Sequence, residues 1–297
     1  MSKRRTSFTN KPSNPLSVRS DRPLDPWTLE ILRAVDETIQ EVNCRYMLMG
    51  ATARDILLFH VFGRAAMRAT LDVDFAIAVE SWEKFAGVVH GILSRPKFQA
   101  SRIEHRVFFK PSEAQERVPV DIVPFGGVAS AENKIFWPGD SHMVMSVAGL
   151  DDTIAGAVWV LVDKDLVIPV ASLPGLAVLK LFAWADRRAN KDATDLYRIL
   201  KNYADAGNED RLYGDKLDIL EKAEFNVELA GSYLLASDAV ELCSEVTLHH
   251  LRNLFSLPDT IEDLENQMVD RGFQTEEAMN RTASLLQAFI TTLIAIK

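Results

Sequence analysis

Residues 47–79, MLMGATARDILLFHVFGRAAMRATLDVDFAIAV, read as a strand, a tight glycine turn, a helix, a loop and a second strand. The apolar run Tyr46-Met47-Leu48-Met49 stops abruptly at Gly50. Residues 51–62 then carry apolar side chains at Ile56, Leu57, Phe59 and Val61, which predicts a helix. After an Arg-containing loop, residues 71–79 are apolar and β-branched with two carboxylates at their start, which predicts a strand. Alternate side chains of a strand share a face, so Asp72 and Asp74 project together. Two ionised carboxylates held side by side repel unless a cation lies between them, and such a pair suits Mg²⁺. The backbone N–H groups at the start of the helix after Gly50 form an anion site, and Thr52 adds a hydroxyl. One unit thus offers a phosphate cradle at Gly50, Ala51 and Thr52 and a metal-binding pair at Asp72 and Asp74.

A third carboxylate stands in Val118-Pro119-Val120-Asp121-Ile122-Val123-Pro124, in the middle of another apolar run. An isolated Asp in such a strand is costly without a partner. If the strand lies beside residues 71–79, Asp121 joins the other two and completes a two-metal site. The bland alternative is an exposed Asp-rich turn, which the apolar surroundings of Asp72 and Asp74 disfavour. Arg54 and Arg68 flank the unit. Each reads either as neutralising phosphate charge or as pairing with a neighbouring acid such as Asp55.

Gly50, then Asp72-Val73-Asp74 after a helix, then Asp121 on a later strand, is similar to the DNA polymerase β-type nucleotidyltransferase superfamily. Within it the chain most resembles the AbiEii/AbiGii-type toxin nucleotidyltransferases. Leu179-Lys180-Leu181, Arg187, Lys191-Asp192 and Asp195-Leu196 resemble a charged region of that family, and residues 220–231 resemble helical text of some members. The resemblance covers residues 40–235, and departs from the family where Gly-Gly or Gly-Ser is replaced by Gly50-Ala51. It implies a mixed sheet flanked by helices, and transfer of a nucleotidyl group from an NTP to an acceptor hydroxyl with two Mg²⁺ ions on Asp72, Asp74 and Asp121. It also implies Lys180 as a phosphate-binding cation, and partners that include the 3′ end of tRNA or another RNA and a cognate antitoxin. Without the resemblance, Lys180 reads as a snorkelling side chain at a helix edge. Lys191, Asp192 and Asp195 read equally as nucleotide contacts, as a device ordering two helices, or as a solvated ion-paired face.

Apolar residues make up 47% of the 297 and charged residues 25%, ordinary globular values that allow a substantial core. A net charge of −9 argues against a general nucleic-acid coat protein but leaves room for a local basic groove. It also mildly favours a cationic acceptor of the aminoglycoside kind. A third reading is a catalytically silent descendant that binds a nucleotide or a protein, which three converging carboxylates disfavour. Cys44 and Cys243 lie far apart with no metal spacing, as expected of reduced thiols in a cytoplasmic protein. The histidines show no metal-binding spacing. Neither a signal peptide nor a run long enough to span a membrane is visible.

Along the chain, residues 1–24 are rich in Ser, Pro and basic side chains (Lys3, Arg4 and Arg5 among them) and read as a basic flexible arm, disordered or loosely docked. Residues 25–171 read as a catalytic α/β (α+β) domain. It opens with an amphipathic helix over 26–42 and has a helix at 80–93 capped by Ser81. Strands are expected around 101–110, 117–124, 143–147, 152–160 and 165–170, with a loop over 126–137. Residues 172–297 read as a helical domain that starts at Ser172-Leu173-Pro174, with separate helices at 227–236 and 238–243.

Overall fold

The computed structural model describes residues 11–65, 72–112, 115–138, 140–268 and 275–295. Arg68 and the basic residues Lys3, Arg4 and Arg5 lie outside them.

Leu16–Ser17 (β1) precedes a long helix, Pro26–Val42 (α1), which leads into Arg45–Met49 (β2). The chain turns at Gly50 into Gly50–Asp55 (α2), which widens into a π-helical stretch, Ile56–Val61. Val73–Val79 (β3), Trp82–Leu93 (α3), Phe98–Ala100 (β4), Arg106–Phe109 (β5) and Val118–Gly126 (β6) follow. Next come a hairpin, Lys134–Trp137 (β7) with Asp140–Ser146 (β8), a short helix, Leu150–Ala155 (α4), and a second hairpin, Val158–Asp163 (β9) with Leu166–Val170 (β10). Every described regular element after residue 172 is helical: Leu173–Arg187 (α5), Asn190–Asn202 (α6), Glu209–Leu212 (α7), Leu217–Lys222 (α8), Val227–Leu242 (α9), Glu245–Ser256 (α10), Thr260–Met268 (α11) and Glu276–Ala295 (α12).

Eight strands form one mixed sheet in the order β1-β9-β10-β2-β3-β6-β5-β4. The pairs β1–β9, β10–β2 and β3–β6 are parallel and the others antiparallel. Central strands of such a sheet are covered on both faces and read as continuous apolar runs. Val73, Phe75, Ala76 and Ile77 of β3 and Val120 and Ile122 of β6 are accordingly buried. The helices α1 and α3 pack on each other and on the sheet, while α2 packs on β2, β3 and α5. Ser81 caps α3 and Ser172 caps α5, each accepting a hydrogen bond from the N–H three residues on. In the helical half, α9 touches α5, α6, α8 and α12. A helix that is apolar around much of its circumference belongs at such a centre.

The arm is docked over residues 16–18, and three other expectations are corrected. Its backbone continues the sheet along the otherwise open edge of β9, with Val18 N–H donating to the Leu161 carbonyl at 3.1 Å. The expected loop over 126–137 ends in β7, because Ile135 and Trp137 alternate inward. Residues 150–155 are the helix α4 rather than the start of a strand, with acidic Asp151 and Asp152 in its first turn. The two helices expected over 227–243 are one, since nothing at Ser237 breaks α9. Among the described residues no helix is long and apolar enough to cross a membrane.

Candidate active site

In the antiparallel β2–β3 pair Met49 stands opposite Asp74, and in the parallel β3–β6 pair Asp74 stands opposite Asp121. The turn after Met49 therefore lies level with two carboxylates on neighbouring strands. Asp72, two residues before Asp74, lines the same cavity. Gly50 has φ +73°, and a Cβ built there would run into the Asp74 carboxylate. Both the left-handed backbone and the close approach demand glycine. No side chain caps α2, and Gly50 and Ala51 line the cavity at its first turn. Thr52 does not line it. Its hydroxyl donates to the Asp72 carbonyl at 2.7 Å and so ties α2 to the entry of β3. The expected phosphate contact of Thr52 is corrected accordingly.

The cavity has a volume of about 1010 Å³. Its floor is the acidic strand end. The opposing wall comes from α5 and α6 and carries Lys180, Arg187, Lys191 and Arg198. Lys180 Nζ reaches Asp195 at 2.7 Å and Asp192 at 3.2 Å. Arg187 forks onto Asp192 at 2.6 and 2.7 Å. Burial pushes the Asp192 carboxyl up, but Arg187 and Lys180 outweigh it and hold the group below the usual carboxylate value. Asp195 also receives Arg54, which is 1% exposed and donates to Asp55 at 2.6 and 2.8 Å. Of the two roles open to Arg54, the structure shows pairing with acids, at a position that also lines the cavity. Asp192 and Asp195 likewise face cations of their own chain. Lys191 is exposed and has no hydrogen-bonding or ion-pairing partner among the described residues.

Asp121 is buried and accepts both arms of Arg106, its direct cross-strand neighbour, at 2.6 and 2.7 Å. Among the described residues Asp74 has no such partner. Burial, then the neighbouring charges of Asp72 and Asp121, raise its carboxyl to about 7, against the smaller opposing pull of Lys180 and Lys191. A carboxyl perturbed in this way on a cavity floor is a candidate for handling a cation or a proton.

Among the described residues no group of three carboxylate, imidazole or thiolate side chains is arranged to hold a metal ion. The donor chemistry at Asp72 and Asp74 nevertheless suits a hard divalent cation, because two carboxylates in mutual repulsion are relieved by one. The expected third ligand is committed to Arg106, so the pair fits a metal better than the trio does.

Several lining residues escaped the sequence. Arg106 becomes visible only once β5 and β6 are in register. Arg198 stands three residues after Asp195 on α6, so helical spacing was the signal for it. His105 lines the cavity beside Arg106, its pKa lowered mainly by burial, and an isolated histidine gave no signal. Val144, Met145 and Ser146 of β8 close one side.

A carboxylate floor facing a cationic wall suits a polyphosphate carried with a metal. A sequence model described as "Nucleotidyl transferase AbiEii toxin, Type IV TA system" matches residues 33–280. The chain belongs to the AbiEii nucleotidyltransferase toxin family. The resemblance read from Gly50, Asp72, Asp74 and the Lys180–Asp195 region thus stands at family level. Among solved structures, the chain is similar to the antibiotic-resistance factor ANT(2'')-Ia at 11% identity, over 68% of this chain and 98% of that one, with a TM-score of 0.34. It is similar to JHP933 from Helicobacter pylori at 14% identity, over 92% and 94%, with a TM-score of 0.35. It is similar to a CCA-adding enzyme in complex with CTP at 18% identity, over 87% and 65%, with a TM-score of 0.32. No curated protein matches it. As an AbiEii-family member the chain is a nucleotidyltransferase toxin of a type IV toxin–antitoxin system.

Proposed function

We propose that this AbiEii-family toxin moves a nucleoside monophosphate from an NTP to the terminal hydroxyl of an RNA, such as the 3′ end of a tRNA, in the cytoplasm. The observation that carries the reading is the level alignment of Gly50, Asp74 and Asp121 beneath the cations of α5 and α6. The acceptor oxygen forms a bond to the α-phosphorus, the bond from that phosphorus to the bridging oxygen breaks, and pyrophosphate leaves. The acceptor proton passes to Asp121, which Arg106 holds in place from the neighbouring strand. Asp72 and Asp74 would hold Mg²⁺. When bound, it neutralises phosphate charge and fixes the line of attack. A second ion would need one Asp121 oxygen to be shared between it and Arg106. The first-turn N–H groups of Gly50 and Ala51 receive phosphate oxygens. Lys191 and Lys180 meet the charge that builds on the leaving pyrophosphate, with Asp192, Asp195 and Arg54 holding Lys180 in place.

A second acceptor, a small cationic molecule with a free hydroxyl, is favoured by one observation. A continuous basic groove into the cavity is interrupted: Arg54 is buried, Arg64 pairs with Asp205 at 3.1 Å and Arg188 with Asp263 at 3.4 Å.

The test is to incubate the protein with Mg²⁺, each α-labelled NTP in turn and total bacterial RNA, beside an Asp72→Ala/Asp74→Ala variant. Label in tRNA-sized RNA with the intact protein alone is the expected result. Mg²⁺-dependent NTP binding without labelled RNA moves the acceptor to the small-molecule class. Absence of both labelling and binding leaves the silent-descendant reading.

A further inference from the structure

The hairpin beside the cavity has an outward face that its own packing does not explain. In β7, Ile135 and Trp137 point inward and are buried. Trp137 packs on Trp82 and Phe85 with ring centroids 5.1 and 5.7 Å away, which seats the end of the strand just past an irregularity in the pairing between Phe136 and Trp137. That seating forces Phe136 outward, where it is 51% exposed on a strand position usually given to a polar side chain. Directly opposite it on β8 stands Val144, 45% exposed, and opposite Lys134 stands Ser146. Residues opposite one another share a face, as do residues two apart on a strand. Lys134, Phe136, Val144 and Ser146 therefore form one surface. Its β8 half, Val144 and Ser146, lines the catalytic cavity. Its β7 half carries an aromatic ring and an exposed cation whose ion pair among the described residues is a loose one, at 3.5 Å, with the more exposed Glu132.

We propose that this face is the approach track for the single-stranded end of an RNA acceptor, with Phe136 stacking on a base and Lys134 meeting a phosphate. The inference rests on the RNA-acceptor reading above and deepens it. A flat apolar ring beside a cation is the pairing that proteins use for single strands, because every base has a π-face and every linkage a charge. A single exposed apolar residue would need no explanation. Here a cross-strand apolar pair runs without a break from solvent into the site. With one or two phosphate contacts, affinity for RNA falls only about three- to sevenfold between 50 and 200 mM salt.

The experiment titrates the full chain with a short fluorescent single-stranded RNA bearing a free 3′ hydroxyl, and separately with each NTP and Mg²⁺. It compares Phe136→Ala, Phe136→Trp and Lys134→Gln with the wild type, each checked by thermal melting. The expected result is an RNA Kd raised about tenfold by Phe136→Ala, the scale of one lost stack, and kept by Phe136→Trp. NTP affinity stays the same in all of them. Unchanged RNA affinity in Phe136→Ala overturns the proposal. So does a loss of self-association in that variant with RNA affinity intact, which would make the face an interface between copies. A wild type that binds NTP but no RNA removes the track and leaves nucleotidyl transfer standing. A wild type that binds neither removes the transfer reading itself.

Discussion

Burial beside Asp72 and Asp121 raises the Asp74 carboxyl from 3.8 to about 7, so near neutrality the folded protein holds a proton there that the unfolded chain has lost. The sign follows from linkage: between about 4 and 7 the native state binds more protons, and stability falls as pH rises, levelling off above 7. Replacing Asp74 with Asn removes that penalty. In chelator, Asp74→Asn should match the wild type near pH 4 and exceed it by about 1–4 kcal/mol at pH 8, since each unit is worth about 1.4 kcal/mol. Urea denaturation at several pH values measures this, and an Asn variant less stable than wild type at pH 8 would refute it. The same substitution should abolish labelling of RNA. Gly50→Ala has the opposite cause and no gain. It places a methyl group against the Asp74 carboxylate at φ +73°, and should lose about 1–3 kcal/mol along with activity. Gly50, Asp72 and Asp74 were legible because strand alternation and a glycine stop are local signals. Arg106 was not, because its meaning is a cross-strand register that sequence spacing does not contain. Thr52 misled because a hydroxyl near a helix start looks the same whether it faces a phosphate or a carbonyl.

At the scale of elements, α2, α5 and α6 are joined through charges that water barely reaches. Arg54 is almost wholly buried, and Asp195 receives both Arg54 and Lys180. Removing one member of such a network leaves the others unpaired in a poor solvent, which typically costs about 3–5 kcal/mol. Arg54→Met should therefore destabilise by about that amount. Arg54→Met/Asp195→Leu should recover part of it, although Lys180 then loses its nearer partner. A double-mutant cycle followed by chemical denaturation supplies the coupling energy; strictly additive losses would show that the two side chains act independently. The helices themselves were readable from apolar periodicity and from the caps Ser81 and Ser172. The alternatives left open for Lys191, Asp192 and Asp195 needed a third dimension, since i, i+3 spacing puts two acids on one side of a helix without saying what faces them. The hairpin β7–β8 was hidden for a similar reason. Four residues with one exposed Phe in the alternation resemble a loop until Trp82 and Phe85 supply the surface against which Trp137 packs.

For the molecule as a whole, the strap before α1 holds distant parts together. β1 extends the sheet along β9, and Arg19 N–H donates to the His60 carbonyl at 2.9 Å. Arg22 donates to the Arg64 carbonyl at 2.6 Å, over the π-helical stretch and the residues that follow it. Truncation through residue 22 should lower Tm by about 5 °C or more and expose the β9 edge to association. Differential scanning fluorimetry with light scattering tests both, and an unchanged, monodisperse melt would show that the strap is dispensable. Composition foretold that residues 1–24 could not build a core, but it is silent on whether a short extended piece finds a strand edge to join. The parallel pairing of β3 with β6 has a consequence in time as well as in space. The acid floor is complete in the chain by Asp121, whereas the cations that face it begin only at Lys180. At ordinary elongation rates the ribosome needs about 3–12 s to add the intervening stretch of about 60 residues. Throughout that interval a nascent toxin has its carboxylates and no facing wall, so under the proposed mechanism the cell that makes it would meet an active enzyme only after α5 and α6 have emerged and docked.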